Sequence, residues 1–408
     1  MTVAQKLMAQ VESYRPQIIE AQRQLVAVPA LSPVSGGQGE MKKALLLEGW
    51  LRDMGLAIER VDAPDARVPG GVRPNIVATT PGGAEPRMWV LGHMDVVPPG
   101  SLDLWQSDPW ILRQEGDLLY GRGVNDNHSG VICPFFGLKA LVDLGIRPAG
   151  PVGLIMVSDE ENGSAYGLDY VLDKRLDLFS PKDLIVVPDA GSQDSRLIEV
   201  AEKSIFWIKV EVLGRQVHAS RPQTGVNALR AAARMMVAID EVAKQFPLKD
   251  PLFRPPISTF EPTRKEAGVE NVNTVPGRDV FYIDCRVMPP YPLDEVENAL
   301  RGRFAEIAAQ LGAKVSLSPV QKQQAAPPTP ADAPVVAALK RAVKQAHQVE
   351  AYPGGIGGGT VAAFFRRRGL PAAVWITSSE TAHQPNEHIA LSTLIKDAQV
   401  FALLFAGV

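Results

Sequence analysis

Cysteine is nearly absent from this 408-residue chain: Cys133 and Cys285 are the only two, each inside an apolar stretch. Such usage argues against a disulfide framework and for a reducing cytoplasm. Runs of apolar residues long enough to span a bilayer are also lacking. The N-terminal stretch MTVAQKLMAQVESYRPQIIEAQRQL has an amphipathic helical pattern with acidic residues and no long apolar core, unlike a signal or transit peptide. Neither sign of charge dominates. With 42 Lys and Arg against 45 Asp and Glu, the net charge of −3 gives no basis for nucleic acid or a membrane surface as partner. Solenoid-length repeats and low-complexity tracts are missing, and the nearest approach to a linker is VQKQQAAPPTPADAP, residues 320–334. What is present, 46% hydrophobic and 21% charged residues, suffices for a large core and, at this length, for more than one domain.

The strand patterns are of two kinds. MWVLGHMDVV, VGLIMVSDE and DLIVVPDAG are nearly solid apolar runs, as expected of strands covered on both faces in a largely parallel sheet. Helical stretches near 130–144 and 389–405 complete an α/β alternation. In the middle region IFWIKVEV and VFYIDCRV alternate strictly, which marks an antiparallel sheet with one wet face. Amphipathic helices over about 226–246 and around Val296, Leu300, Phe304, Ile307 and Leu311, a strand near 256–261 and KVSLSP complete a β-α-β-β-α-β order. That order is the ferredoxin-like arrangement. The expectation is an α/β domain from residues 1–199 and 321–408, its mostly parallel sheet flanked by helices on both faces, with an inserted α+β domain at 200–320.

Ligands of open parallel sheets collect at the carboxyl ends of the strands. There this sequence places His93 and Asp95, the turn residue Asp126, the acidic run Asp159-Glu160-Glu161, Asp189, and His383. Singly, each is an ordinary turn or surface residue; together they form a donor set suited to Zn²⁺, with Co²⁺ and Mn²⁺ also accepted. One ion would be over-supplied. Two ions are accommodated with His93 and Asp189 on one, Glu161 and His383 on the other, and Asp126 bridging. Three carboxylates against two divalent cations leave a formal charge of +1, which favours a metal-bound hydroxide at neutral pH. Asp95, two residues beyond His93 on an extended backbone, projects the same way and can orient the imidazole. Glu160 is left over, beside the ligands but not among them, as the general base.

These residues stand in stretches whose order and spacing resemble a known family. The carriers are GHMDVVPPG (92–100), LWQSDPW (104–110), DLLYGRGVNDNHSG (117–130), SDEENGS (158–164) and VPDAG (187–191). GRQVHASRPQTGVNA (214–228), NVNTVPG (271–277), GGGT (357–360) and TAHQPNEHI (381–389) continue the series over almost the whole chain. Together they resemble the dinuclear-zinc metallopeptidases that include succinyl-diaminopimelate desuccinylase, acetylornithine deacetylase, aminoacylase and glutamate carboxypeptidase. The resemblance implies the same metal allocation, with Glu160 as base, and an inserted lid domain through which the protein forms a homodimer. It further implies that His218 stabilises the oxyanion, that Asn273 and Arg286 hold a substrate carboxylate, and that Gly359 and Thr360 offer backbone contacts. An ion pair between Arg286 and Asp284, on the same strand face, is the competing expectation for that arginine.

Two departures border the expected pocket. NHSG follows Asp126 where the family often has an acidic residue and then Lys, and VAAFF follows GGGT where many members have Asp-Gly. Neither removes a ligand. The resulting expectation is a cytoplasmic amidohydrolase or peptidase acting on an N-acyl amino acid or short peptide with a free carboxylate. A two-metal phosphoesterase and a non-catalytic metal-containing binding protein are the rivals. No cluster of Arg or Lys accompanies the candidate ligands, which disfavours the first; the chain retains every ligand and the base, which disfavours the second.

Overall fold

The apolar runs pair as parallel strands. The computed structural model of the chain describes residues 1–82 and 87–408. Two units divide it: Met1–Val200 with Pro328–Gly354 and Thr360–Val408, and Ala201–Pro327 with Gly355–Gly359.

The first unit is built on an eight-stranded sheet. Its strands are β1 (Ala57–Arg60), β2 (Ile76–Thr79), β3 (Met88–His93), β4 (Val152–Val157), β5 (Leu184–Val187), β6 (Leu197–Glu202), β11 (Tyr352–Ile356) and β12 (Ala372–Val374), β7 to β10 belonging to the second unit. Their order across the sheet is β1-β2-β4-β3-β5-β12-β6-β11. The central four, β4-β3-β5-β12, run parallel, while β1, β2 and β6 join antiparallel. Every residue of β3 and β4 is buried, which accounts for their lack of alternation. On one face Trp89, Leu91, Ile155 and Val187 pack with α5 (Leu168–Arg175) and α9 (Ala362–Arg367). On the other lie α4 (His128–Asp143) and α8 (Pro334–His347), with α10 (Leu391–Ala406) packed on both. Because β3, β4, β5 and β12 share one direction, the segments after His93, Val157, Val187 and Val374 all leave the same edge.

The N-terminal helical pattern is two helices, α1 (Val3–Glu12) and α2 (Arg15–Val26), with Pro16 in the first turn of the second. Proline has no N–H to continue the first helix's ladder, but suits a helix start. Helix α10 starts two residues later than its pattern suggests, because His388–Ala390 pairs as a short strand with Leu118–Tyr120. Among the described residues no helix is long and apolar enough to cross a membrane.

The second unit has a four-stranded antiparallel sheet: β7 (Ser204–Leu213), β8 (Thr259–Lys265), β9 (Arg278–Val287) and β10 (Lys314–Gln323), in the order β8-β9-β7-β10. Phe206, Ile208, Val210 and Val212 of β7 share one buried face with Phe281, Ile283, Cys285 and Val287 of β9. Helices α6 (Ala228–Ala243) and α7 (Leu293–Leu311) cover that face. The Asn227 side chain caps α6 by accepting from the Arg230 N–H at 2.9 Å. Strand β8 lies a few residues beyond the stretch expected from sequence, since Pro255 and Pro256 cannot donate to a ladder. Both cysteines are free and buried.

The division of faces is testable. Phe281→Ala empties a fully buried position and is expected to cost about 3–5 kcal/mol. Lys209→Ala, on the opposite face of the neighbouring strand, is expected to stay within about 0.5 kcal/mol. Urea unfolding followed by a probe in the second unit measures both.

Candidate metal centre

The turn after β4 is what aims two glutamates at one space. Asp159 adopts a left-handed backbone, φ 64°, and Glu160–Asn162 then form a single 3-10 turn. Its first two N–H groups have no partner inside the turn, and the Asp95 carboxylate accepts both. Glu160 N–H reaches Oδ1 and Glu161 N–H reaches Oδ2, each at 3.1 Å. Asp95 is fully buried, two residues beyond the end of β3, so one strand end builds the turn at another. Arg73 holds Asp159 from the far side at 3.2 Å and is itself ion-paired with Glu40 in the core.

Two triads of donor atoms result, and they share Asp126. His93 Nε2 lies 3.1 Å from Asp126 Oδ1 and 3.4 Å from Asp189 Oδ1. His383 Nε2 lies 3.1 Å from Asp126 Oδ2 and 3.1 Å from Glu161 Oε2. Within each triad the donor atoms fall inside 4.8 Å of one another. His93 Nδ1 is 2.9 Å from the Asp95 carbonyl oxygen and 3.5 Å from its carboxylate. A carbonyl only accepts, so Nδ1 carries a proton, and in the neutral ring the Nε2 lone pair faces the triad. Asp95 thus orients the imidazole through its backbone, and its side chain serves the glutamate turn. Glu160 Oε2 stands 3.9 Å from His93 Nε2, outside both triads.

The electrostatics call for positive charge. Burial pushes the Glu160 carboxyl well above its usual range, and Asp189 and Glu161 push it further, His93 opposing. Burial and Asp126 likewise raise Glu161 against the pull of His383. For Asp126, hydrogen bonds from His383 and His93 outweigh burial and hold the carboxyl down. His383 is raised to about 10 by Asp126 and then Glu161. His93 is raised against burial by Asp126, Asp189 and Asp95. Without a cation these groups can coexist only by taking up protons. Imidazole nitrogens and carboxylates, with no Lys or Arg side chain in either triad, fit divalent cations of the zinc type.

Two positioning residues escaped sequence reasoning. Glu387 is completely buried. Its Oε1 accepts from the N–H groups of Asn125 and Asp126 at 2.9 and 3.0 Å, and its Oε2 from Gly123 N–H at 2.9 Å and Arg122 Nη1 at 2.7 Å. The segment carrying His383 therefore grips the loop carrying Asp126. A charged residue inside each motif, Arg122 in YGRG and Glu387 in QPNE, was the available signal. Asn127 is the other. Its Oδ1 accepts from His93 N–H at 3.2 Å, while its Nδ2 donates to Pro188 O at 2.6 Å and Asp189 Oδ1 at 3.2 Å. Gly130 leaves room for that amide; a Cβ there would stand 2.3 Å from Pro188 O and 2.4 Å from Asn127 Oδ1. His128, His347 and His388 join neither triad: they contact Lys43, Asp397 and Tyr120 respectively.

The remaining candidates lie in the second unit, Thr360 excepted. His218 pairs with Thr274 across a short ladder, and Ala219 N–H donates to Asn273 O at 2.7 Å, so His218 and Asn273 are neighbours. Ser220 N–H donates to His218 Nδ1 at 3.1 Å, which leaves the proton of a neutral ring on the exposed Nε2. Arg286 forms the ion pair with Asp284, at 2.7 Å, and also donates to Gly357 O at 2.8 Å. Gly359 is exposed, while Thr360 Oγ1 accepts from Ala362 N–H at 3.3 Å.

Glu387→Gln places a donor among four donors, and a stability loss of about 3–5 kcal/mol is expected from breaking this buried pair, read by urea unfolding. Metal uptake should release protons: His383 is protonated at pH 7 in the metal-free protein, given its pKa of about 10, and must be neutral to bind a cation. Apparent metal affinity should therefore rise with pH across the neutral range. Calorimetric titrations in buffers of different ionisation enthalpy measure the proton release directly.

Comparison with known proteins agrees with this chemistry. The model of peptidase family M20/M25/M40 matches residues 89–406. A Methanococcus maripaludis protein described as an uncharacterized metallohydrolase is 37% identical, over 96% of this chain and 99% of its own. The succinyl-diaminopimelate desuccinylase of Gluconacetobacter diazotrophicus is 25% identical over 93% of this chain and 94% of its own. Among solved structures, human carnosine dipeptidase 1 has a TM-score of 0.75 at 18% identity, covering 100% of this chain and 98% of its own. An M20 metallo-carboxypeptidase of Sulfolobus solfataricus gives 0.69 at 18% identity, covering 96% and 99%. The α/β architecture is thus that of these peptidases. The chain belongs to peptidase family M20/M25/M40 and is a metal-dependent hydrolase of amide bonds.

Proposed function

We propose that the protein removes the acyl group from an N-acyl amino acid, or cleaves a short peptide, whose free carboxylate it recognises. The observation that carries this reading is Glu160: a half-buried carboxyl beside two metal-type triads and a member of neither. His93 and Asp189 would hold one divalent cation and Glu161 and His383 a second, with Asp126 between them. Zinc is the first choice and cobalt or manganese the alternatives. Such cations, when bound, polarise a scissile carbonyl and lower the pKa of a water.

The chain's own groups supply the rest. Glu160 takes the proton of the attacking water and returns it to the departing amine nitrogen, a role suited to a carboxyl whose pKa is already raised. His218, with its Nε2–H outward, donates to the oxyanion that develops on the carbonyl. Asn273 lies beside His218 and takes the substrate carboxylate together with Arg286. That guanidinium still has N–H groups to offer beyond its bonds to Asp284 and Gly357. Gly359 and Thr360 would add backbone N–H contacts. The second unit would act as a lid and as the surface through which two chains associate. The two unpaired buried cysteines support a reducing, cytoplasmic setting.

A panel of N-acetyl, N-succinyl and N-carbamoyl amino acids and dipeptides, each with free and with amidated carboxyl, tests the reading. Turnover is expected only with the free carboxylate, after reloading with Zn²⁺, Co²⁺ or Mn²⁺. Glu160→Gln should bind the same amount of metal as the wild type and lose about 10²–10⁴-fold in kcat. Turnover by that variant at the wild-type rate would remove Glu160 from its role.

A further inference from the structure

Most of the six tryptophans have an apolar or hydrogen-bonded seat. Trp50, in α3 (Met41–Asp53), Trp89 and Trp375 pack against phenylalanine rings, and the Trp105 indole donates to Pro99 O at 2.8 Å. Trp207 differs. It is 37% exposed on the wet face of the second unit's sheet, the one exposed tryptophan among the described residues. Because β7 is a central strand, the ring sits in the middle of that face, between Asp284 of β9 and Gln321 of β10.

A single exposed aromatic ring is ordinary by itself; its neighbours are what distinguish this one. Ile205, the preceding residue of β7 on the same face, is only 8% exposed. It pairs in register with Arg286. A Cβ at Gly359 would stand 3.8 Å from Ile205 Cδ1, 3.8 Å from Gln323 Nε2 and 3.7 Å from Glu202 Oε2. The Gly357–Gly359 segment, bonded to Arg286 through Gly357 O at 2.8 Å, therefore covers the sheet at Ile205, and the cover stops at Trp207. The Arg286 guanidinium carbon lies 5.7 Å from the centroid of the Trp207 ring. Two of the groups proposed to meet substrate, Arg286 and Gly359, thus border the exposed indole. The charges flanking the ring are compensated within the sheet: Asp284 pairs with Arg286 at 2.7 Å, and Lys209 lies 3.8 Å from Glu266. What remains uncovered there is apolar surface.

We propose that Trp207 is a specificity-determining residue: its indole receives the side chain of the residue whose carboxylate Arg286 takes, and that side chain is aromatic or large and apolar. This rests on the carboxylate role of Arg286 given above. Carboxylate and side chain share one carbon, so a carboxylate on the guanidinium brings the side chain within reach of a ring beside that guanidinium. Contact removes the exposed face of the indole from water, and an aromatic side chain adds ring–ring attraction. The competing role for Trp207 is a platform that only steadies Arg286, since a guanidinium within about 6 Å of a ring centroid is attracted to it.

The two roles separate in a substrate series. The metal-loaded full chain is assayed with the acyl group it turns over best, joined in turn to Phe, Leu, Ala and Asp. The wild type is expected to favour Phe and Leu over Ala and Asp in kcat/KM. Trp207→Ala should raise KM for the Phe substrate about 10–100-fold, with kcat little changed. A much smaller rise is expected for the Ala substrate, so that the preference collapses, and Trp207→Phe should restore it. Absence of that preference in the wild type, or an equal loss on every substrate in Trp207→Ala, would overturn the proposal; the equal loss is what a platform for Arg286 produces. Equal turnover of free and amidated carboxyl forms by the wild type would instead remove the carboxylate reading on which the proposal rests.

Discussion

Like charges gathered where water is scarce are the constraint on which the rest of this structure depends. Asp126, Glu160, Glu161 and Asp189 lie with His93 around one space; burial and neighbouring carboxylates raise the pKa of Glu160 and Glu161, while the imidazoles hold that of Asp126 down. Such a set is unfavourable in a protein of its own charges. It becomes favourable with divalent cations, which accept the same lone pairs that otherwise repel. Family membership and electrostatics therefore converge on a metal-dependent hydrolase from independent directions.

Holding the donors apart until cations arrive requires a supporting layer, and the fold builds it from the same strand ends. Asp95 caps the glutamate turn after β4, Asn127 joins the backbone of His93 to the carboxylate of Asp189, and Glu387 ties the loop of Asp126 to the C-terminal segment of His383. Each of these side chains links two segments far apart in sequence. None can move without moving a donor, so the rigidity of the centre is distributed over the loops rather than invested in any one ligand. Asn127 suits this task, because an amide can both accept from His93 and donate to Asp189, which a carboxylate cannot.

Parts of this were legible in the chain and parts were not, for identifiable reasons. Solid apolar runs gave the buried parallel strands, strict alternation gave β7 and β9, and the rule that ligands gather at carboxyl ends led to all five donors of the two triads. Boundaries went astray where proline or a short edge pairing intervened: Pro16 splits the first helix, Pro255 and Pro256 delay β8, and His388–Ala390 takes the start of the last helix into a strand. Spacing placed Asp95 beside His93, where its carbonyl oxygen meets Nδ1; that its carboxylate also accepts from two N–H groups more than 60 residues away was not legible.

Sequence alone determined the chemistry of the donors, the strands that carry them and the family, because residue type, hydrophobic period and motif order are local properties of a chain. Only the tertiary structure decided which oxygen of Asp126 faces which histidine, which nitrogen carries the proton of neutral His93 and His218, and that Glu387 and Asn127 stand behind the ligands. Those are outcomes of hydrogen bonds between segments brought together by folding, and no periodicity along the chain encodes a partner that lies 260 residues away.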